Sequence, residues 1–164
     1  MIDINSNSLN PIAARLSNFT LRTFDFDGVQ CVSIESVLQA FKFDDNHELQ
    51  CQICLMSPKV AKEMGAQFPD WKQEKKLFWN GNYYNRLNNE YQELITNLYD
   101  TVCDQDPTFT DDLFALRREK ICHSIGLSDP LNTVLTENEF IDQLNRLRMT
   151  AKGLVLKPGA LILQ

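Results

Sequence analysis

The chain has no surplus of basic residues and no long apolar run. Its 16 Lys and Arg are outnumbered by 22 Asp and Glu, so the formal net charge is −6. Because nucleic acid is a polyanion, this balance excludes a protein that holds duplex DNA through its overall charge, and it leaves only a local basic site. No run of residues is long and apolar enough to span a membrane as a helix.

Glycine and proline are scarce, and the cysteines are odd in number. With six Gly, six Pro and ten Phe among 164 residues, the chain has enough apolar surface to fold, which excludes a disordered protein. Its length suits one domain, residues 1–164, with a hydrophobic core. The polar start MIDINSNSLN has no signal-peptide pattern, and five cysteines fit reduced thiols. We therefore expect a cytoplasmic protein.

Capping residues, turn pairs and apolar spacing predict a mainly helical chain with a small β hairpin, an α+β fold. Asp27-Gly28 predicts the hairpin turn, and Ser57, Pro58 and Gly65 predict the cap, start and stop of a short helix. Further helices are expected from Asp70 to Gly81, from Leu87 to about Cys103, in TDDLFALRREK, and from the capping box Thr136–Glu139 to Gly153.

The C-terminal part of the chain contains two segments of other character. KICHSIG is expected to be extended. The last residues, LVLKPGALIL, are two apolar runs joined by the turn pair Pro158-Gly159. This tail, residues 154–164, is a candidate docking segment.

The run VSIESVLQAFKFDD, residues 32–45, predicts an amphipathic helix. Glu35, Gln39 and Lys42 fall at positions i, i+4 and i+7, so they form one polar stripe beside an apolar one. Ser33 is the expected N-cap, which puts Glu35 in the first turn, where the helix dipole favours a carboxylate. Spacing alone leaves two interpretations open, a solvated helix face and a catalytic site.

The pair Cys51-x-x-Cys54 is typical of half a zinc site, with His47, Cys122 and His123 as further ligands on paper. Structural zinc sites hold paired ligands on turns, whereas ELQCQICLM has the character of a helix interior, where small cysteines pack. A redox dithiol needs a surrounding βαβ pattern, and a zinc deaminase needs H-x-E ahead of P-C-x-x-C. We therefore expect core packing here, and neither a metal nor another cofactor.

The segment FWNGNYYNR, residues 78–86, is rich in aromatic and amide side chains. Aromatic rings can stack on a base, amides can read polar edges and arginine can bind phosphate, so the composition suits a nucleotide-like ligand. The residues concerned are Trp79, Asn80, Tyr84 and Arg86. The alternative is a loop whose aromatics cover the core and whose asparagines adopt turn conformations.

Several short motifs occur in an order that resembles the first half of the NADAR (YbiA-like) N-glycosidase family. They are S-N-F at 17–19, D-G at 27–28, S-x-E-x-x-x-Q-A-x-K-F at 33–43, P-x-x-A-x-x-x-G at 58–65 and D-W-K at 70–72. The second half lacks the family's W-G-x-G segment and resembles a divergent bacterial or phage branch. There, Trp79 or His123 is expected to replace that segment.

The resemblance implies a mainly α-helical hydrolase that cleaves an N-glycosidic bond to a ribose. The family glutamate corresponds to Glu35, flanked by Gln39 and Lys42. A carboxylate at this position can stabilise oxocarbenium character at the ribose C1 and orient water. The candidate substrate-binding residues are Asn18, Trp71, Lys72, Trp79, Asn80, Tyr84, Arg86 and His123.

The family acts on ADP-ribose attached to guanine in nucleic acid and on phosphorylated intermediates of riboflavin synthesis. We expect the first activity here, an eraser of nucleic acid ADP-ribosylation that recognises the modified nucleotide locally. Three alternatives are open: hydrolysis of a riboflavin-pathway intermediate, a catalytically silent module that binds NAD or ADP-ribose, and an interaction protein that docks through its apolar tail.

Overall fold

A computed structural model describes residues 1–44 and 46–155, and the side chains of residues 1–44 and 46–150. The helices are α1 (Pro11–Arg15), α2 (Ile34–Ala40), α3 (His47–Cys54), α4 (Pro58–Ala66), α5 (Asp70–Glu74), α6 (Asn89–Gln105), α7 (Pro107–Ala115) and α8 (Glu137–Val155). The strands are β1 (Ile2–Asp3), β2 (Phe24–Phe26), β3 (Val29–Cys31), β4 (Lys76–Trp79), β5 (Asn82–Asn85) and β6 (Ile121–Cys122). Each strand pairs with one other, in the order β1-β6, β2-β3 and β4-β5. Helices dominate and the sheets are small, so the predicted α+β class is confirmed. Across the described ranges, no helix combines the length and the apolar character needed to cross a membrane.

Helix α6 lies at the centre of the core. Its apolar residues recur at helical spacing and are buried, as the sequence predicted: Tyr91, Leu94, Ile95, Leu98, Tyr99 and Val102. Helices α7 and α8 and strands β2 and β5 contact it. Helix α6 therefore forms the centre around which these elements pack.

The hairpin β2-β3 forms where Asp27-Gly28 predicted it. Both turn residues have positive φ, 51° at Asp27 and 83° at Gly28, the geometry of the tight turn that matches strand twist. The Asp25 carboxylate accepts a hydrogen bond from the Gly28 amide at 2.9 Å. This hairpin leads the chain directly into α2.

Helix α2 is buried along its whole length and is shorter than predicted. It ends at Ala40, with Phe41 as C-cap, so Lys42 lies in the turn that follows. Helix α4 packs against α2 and runs through Gly65 to Ala66, so the predicted stop at Gly65 is wrong. Gly65 instead leaves space for the side chain of Gln39 on α2.

The helix predicted from Asp70 to Gly81 is wrong beyond Glu74. Lys75 has a left-handed φ of 57°, which ends α5, and the chain then forms the antiparallel hairpin β4-β5. Asn80 and Gly81 make its turn with φ of 50° and 83°. Asn-Gly is the strongest short hairpin signal, and here it overrode the helical periodicity of the preceding charged residues.

The C-terminal half follows the predicted order with shifted boundaries. The KICHSIG segment is extended only at Ile121–Cys122, where β6 pairs in parallel with β1, and it turns from Ser124 onward, so the prediction is confirmed in part. Helix α7 begins at Pro107 and ends at Ala115, so it starts and stops earlier than the segment TDDLFALRREK in which it was predicted. The capping box is confirmed: the Thr136 amide donates to Glu139 at 2.7 Å and the Glu139 amide donates to Thr136 at 3.1 Å.

Helix α8 continues past Gly153, so the predicted end is wrong. One glycine costs a helix only about 1 kcal/mol relative to alanine, too little to stop a packed helix. The proposed docking tail overlaps the end of α8 at residues 154–155. Its remaining residues, 156–164, lie outside the described residues, so docking stays a prediction.

Candidate active site

A cavity of about 340 Å³ lies between helices α2 and α4 and the loop of residues 123–136, which joins β6 to α8. Its lining gathers residues that are far apart in sequence. The polar and aromatic members include Asn18, Phe19, Glu35, Gln39, Lys42, Lys62 and His123. The cavity therefore brings together the predicted stripe of α2, the S-N-F motif and one histidine from the second half of the chain.

Glu35 is buried, with 8% of its surface exposed, and its surroundings fix its position. The N-cap prediction is confirmed, because the Ser36 amide donates to the Ser33 hydroxyl at 3.0 Å. The Glu35 amide donates to the Asn18 carbonyl at 3.0 Å, which ties the S-N-F motif to the helix start. The Gln39 amide nitrogen donates to Glu35 Oε1 at 2.8 Å. The carboxylate thus has one oxygen anchored.

Gln39 in turn is positioned by a glycine. An added Cβ at Gly65 would lie 1.9 Å from Gln39 Oε1 and 3.2 Å from Lys42 Cδ, so only glycine leaves room for both side chains. Gln39 Oε1 is buried and has no hydrogen-bond partner among the described residues. An unpaired buried carbonyl oxygen is costly, and it is available to a donor on a ligand.

Lys42 is half-buried next to this pair. Burial lowers its pKa from 10.5 to about 8; the negative charge of Glu35 opposes this shift, and the positive charges of Lys72 and Lys62 add to it. Its ammonium lies 5.9 Å from the centroid of the Trp71 ring. Trp71 is itself buried, and its Nε1 has no partner in the described part of the chain. Trp71 and Lys72 therefore lie beside Lys42 rather than in the cavity lining.

Asn18 is oriented by a buried phenol. The Tyr99 hydroxyl donates to Asn18 Oδ1 at 2.7 Å. Burial raises the pKa of Tyr99 well above 10, so the phenol keeps its proton and remains a donor. With its oxygen engaged, Asn18 can offer its amide N–H groups to a ligand in the cavity.

The segment 78–86 lies away from the cavity. Trp79 is buried in the core, where it stacks on Phe26 with ring centroids 5.3 Å apart and donates from Nε1 to Asp27 at 2.8 Å. Asn80 is exposed at the hairpin turn, and Tyr84 is half-buried against the core. The structure brings Glu35, Gln39, Lys42, Asn18 and His123 together and does not bring these three residues to them.

Arg86 also lies outside the cavity, but it supports one of its walls. Its guanidinium is buried and forms two hydrogen bonds with the Glu139 carboxylate, at 2.9 and 2.7 Å. Its Nε donates to the Thr133 carbonyl at 2.9 Å. These contacts hold the loop 123–136 from behind, so the arginine's donors are used within the protein.

Sequence reasoning gave four residues no role in this site: Phe19 and Gly65, which it named only within motifs, and Lys62 and Tyr99, which it did not name as site residues. One signal was present in α4, since Lys62 and Ala66 are four residues apart and Gly65 shares their side of the helix. The ammonium of Lys62 lies 5.2 Å from the centroid of the Phe19 ring. No local pattern distinguishes Tyr99 from the other core residues of α6, because its role depends on a contact with distant Asn18.

The cysteines of the C-x-x-C pair lie on helix α3, as predicted. Cys54 is buried, and a hydrogen bond with Cys31 together with burial raises the pKa of its thiol. Within residues 1–44 and 46–150, no group of three or more His, Cys, Asp or Glu side chains is arranged to hold a metal ion.

A second cavity, of about 460 Å³, is larger, but its charged side chains are exposed to solvent. It lies between α3 and the hairpin β4-β5 and is lined by exposed charges of both signs, among them Asp44, Glu74 and Lys76. We place the candidate site in the smaller cavity, because there a buried carboxylate, an unpaired amide oxygen and a lysine of lowered pKa converge.

Comparisons with known proteins match the chain to a bacteriophage protein family and to a YbiA-like fold. The family model described as "Bacteriophage protein GP30.3" matches residues 10–149. A 17.1 kDa protein of the Gp30-rIII intergenic region of Enterobacteria phage T4 is 38% identical over 149 residues, which cover 90% of this chain and 96% of that protein. The NMR structure of the E. coli protein YbiA is similar with a TM-score of 0.55 at 20% identity, covering 95% of this chain and 87% of that one. The fold is therefore YbiA-like, while the matching family carries a name other than NADAR.

Proposed function

The chain belongs to the bacteriophage GP30.3 family, and from the cavity around Glu35 we propose that it is an N-glycosidase that removes ADP-ribose from guanine in nucleic acid. The observation that carries the proposal is the Glu35 carboxylate, buried in a cavity and held by the Gln39 amide at 2.8 Å. The YbiA-like fold supports the resemblance to the NADAR family on which this activity is based.

The chemistry follows from the position of the carboxylate. When the bond between the ribose C1 and the base nitrogen breaks, positive charge develops at C1 and the ring oxygen. A carboxylate in a largely buried cavity stabilises that charge more strongly than it would in water. The same carboxylate can accept a proton from the attacking water. Glu35 therefore acts as stabiliser and general base, and Gln39 holds it in place.

Two lysines support a phosphate-bearing substrate. Lys42 and Lys62 both line the cavity that holds Glu35, although the chain as a whole has a net charge of −6. Ammonium groups bind the pyrophosphate of ADP-ribose, and the ring of Phe19 offers a stacking surface for a base. The asymmetry between a basic cavity and an acidic protein favours recognition of the modified nucleotide itself over binding along the strand.

The test uses a short oligonucleotide that carries ADP-ribosylated guanine, with released ADP-ribose measured by mass spectrometry. We expect hydrolysis whose rate changes little with strand length and only modestly with salt, because few phosphates are contacted. An unmodified strand should compete weakly. A phosphorylated riboflavin-pathway N-glycoside and NAD are assayed in parallel. Cleavage confined to the riboflavin compound refutes the nucleic acid substrate, and tight binding of ADP-ribose without any cleavage refutes the enzyme.

A further inference from the structure

We infer that His123 is the general acid of this site, the group that protonates the departing base. The inference rests on the proposed function, since it assigns the second half of the same reaction. Glu35 can act on the ribose and on water, but a base that leaves as an anion needs a proton from a second group. His123 lines the same cavity as Glu35 and comes from a different part of the chain.

The hydrogen bonding of His123 distinguishes its two ring nitrogens. Nδ1 lies 2.6 Å from the carbonyl oxygen of Ile4, which can only accept, so Nδ1 carries a hydrogen whether the ring is neutral or charged. Nε2 has no partner among the described residues. Nε2 is therefore the ring nitrogen left free to donate to a ligand.

The ring is also held in orientation by its packing. Phe140 meets it edge to face, with centroids 5.0 Å apart and planes at 88°. On another side the loop backbone comes so close that an added Cβ at Gly126 would lie 2.7 Å from His123 Cδ2. A surface histidine would keep its rotational freedom. This one is fixed by Ile4, Phe140 and Gly126, as a proton donor in a preorganised site must be.

Charged groups of both signs lie around His123. Asp3 of the paired strand β1 lies near it, with its carboxylate bound by the amide and hydroxyl of Ser124. Glu137, at the start of α8, packs against the same glycine as the ring. The charged groups that line the same cavity as His123 are Glu35, Lys42 and Lys62.

The step balances as a hydrolysis. The bond from C1 to the base nitrogen breaks, its electron pair stays on the nitrogen, and that nitrogen takes the proton from His123 Nε2. Water forms the new bond to C1 and gives its proton to Glu35. Transfer of that proton through solvent to His123 returns both groups to their starting states, and no oxidant, reductant or metal is needed.

The experiment compares two substitutions at His123 with one at His47, the chain's other histidine. In His123→Asn the side-chain amide can still donate to Ile4, as Nδ1 does, but nothing replaces Nε2. In His123→Gln an amide reaches the Nε2 position, but it cannot transfer a proton. We expect both variants to fold with an unchanged melting temperature and to lose kcat by about 10²- to 10⁴-fold on ADP-ribosylated guanine. The His47→Asn control should behave as wild type.

The pH profile of kcat separates proton transfer from simple positioning. Wild type and His47→Asn should share a limb of the kcat profile in which activity falls as a general acid loses its proton, and the residual activity of His123→Asn should lack that limb. Activity of His123→Asn within about threefold of wild type, or a retained limb, overturns the general acid while leaving Glu35 and the N-glycosidase proposal intact. Absence of hydrolysis by the wild type itself overturns both.

Discussion

Gly65→Ala is the substitution that tests most sharply how the site is positioned. Helix propensity alone makes the change favourable by about 1 kcal/mol, because Gly65 lies inside helix α4. The new Cβ would, however, lie 1.9 Å from Gln39 Oε1 and 2.9 Å from Gln39 Cδ. Gln39 is buried, with 4% of its surface exposed, so its amide can avoid the new methyl group only by breaking its hydrogen bond with Glu35.

The expected magnitude follows from the hydrogen bond that Gln39 would lose. A hydrogen bond to a charged group contributes roughly 1.5–3 kcal/mol, so releasing Glu35 from Gln39 should lower kcat/KM by roughly 10- to 100-fold. The free energy of unfolding should change far less, since the gain in helix propensity offsets part of the strain. Hydrolysis of ADP-ribosylated guanine and urea denaturation measure the two quantities on the same protein.

A double-mutant cycle with Gln39→Ala decides whether the effect passes through Gln39. Without the long side chain the new methyl group has room, so Gly65→Ala should cost almost nothing in the Gln39→Ala background. If Gly65→Ala lowers activity equally in both backgrounds, or leaves it unchanged in the wild-type background, the reasoning about this contact is wrong.

Three further predictions concern neighbouring groups. Because the pKa of Lys42 is lowered to about 8, its positive charge is lost as pH rises through 8, so ADP-ribose affinity measured by calorimetry should fall there; Lys42→Arg should remove this dependence, and its persistence in that variant refutes the assignment. Tyr99→Phe should leave Asn18 unoriented and raise KM by roughly tenfold, the scale of one net hydrogen bond, and an unchanged KM refutes the role of the phenol. Trp79→Ala should destabilise the fold by about 3–5 kcal/mol in urea denaturation, because its ring is in the core, while the folded fraction binds ADP-ribose normally; weakened binding without lost stability contradicts this.

Local signals predicted the parts of this fold that depend on neighbours in sequence. The Asp27-Gly28 turn, the Ser33 cap and the capping box of Thr136 and Glu139 each act over a few residues, and each is present. The polar stripe of Glu35 and Gln39 could likewise be predicted, because helical spacing fixes which side chains share a face.

The rest depended on contacts that a local pattern does not contain. Gly65 has the appearance of a helix stop, but a side chain there would collide with Gln39 on another helix, and this contact explains the glycine. Arg86 has the appearance of a phosphate ligand, but Glu139, 53 positions away, takes up its guanidinium. The charged residues before Asn80 have helical periodicity, but the chain directly before the turn forms strand β4. The Asn-Gly turn allows β4 to pair with β5, and this pairing outweighs the helical preference. In each case a tertiary contact outweighed a local preference.

The most direct test of the central claim is the hydrolysis rate of Glu35→Gln on ADP-ribosylated guanine in an oligonucleotide. Glutamine keeps the size of the side chain and can still accept a hydrogen bond from Gln39, so the variant should fold with the wild-type melting temperature and still bind ADP-ribose. It lacks the negative charge that stabilises the oxocarbenium ion and the base that accepts a proton from water. Its kcat should therefore fall by roughly 10³-fold or more. A folded Glu35→Gln protein that releases ADP-ribose at nearly the wild-type rate would contradict the account.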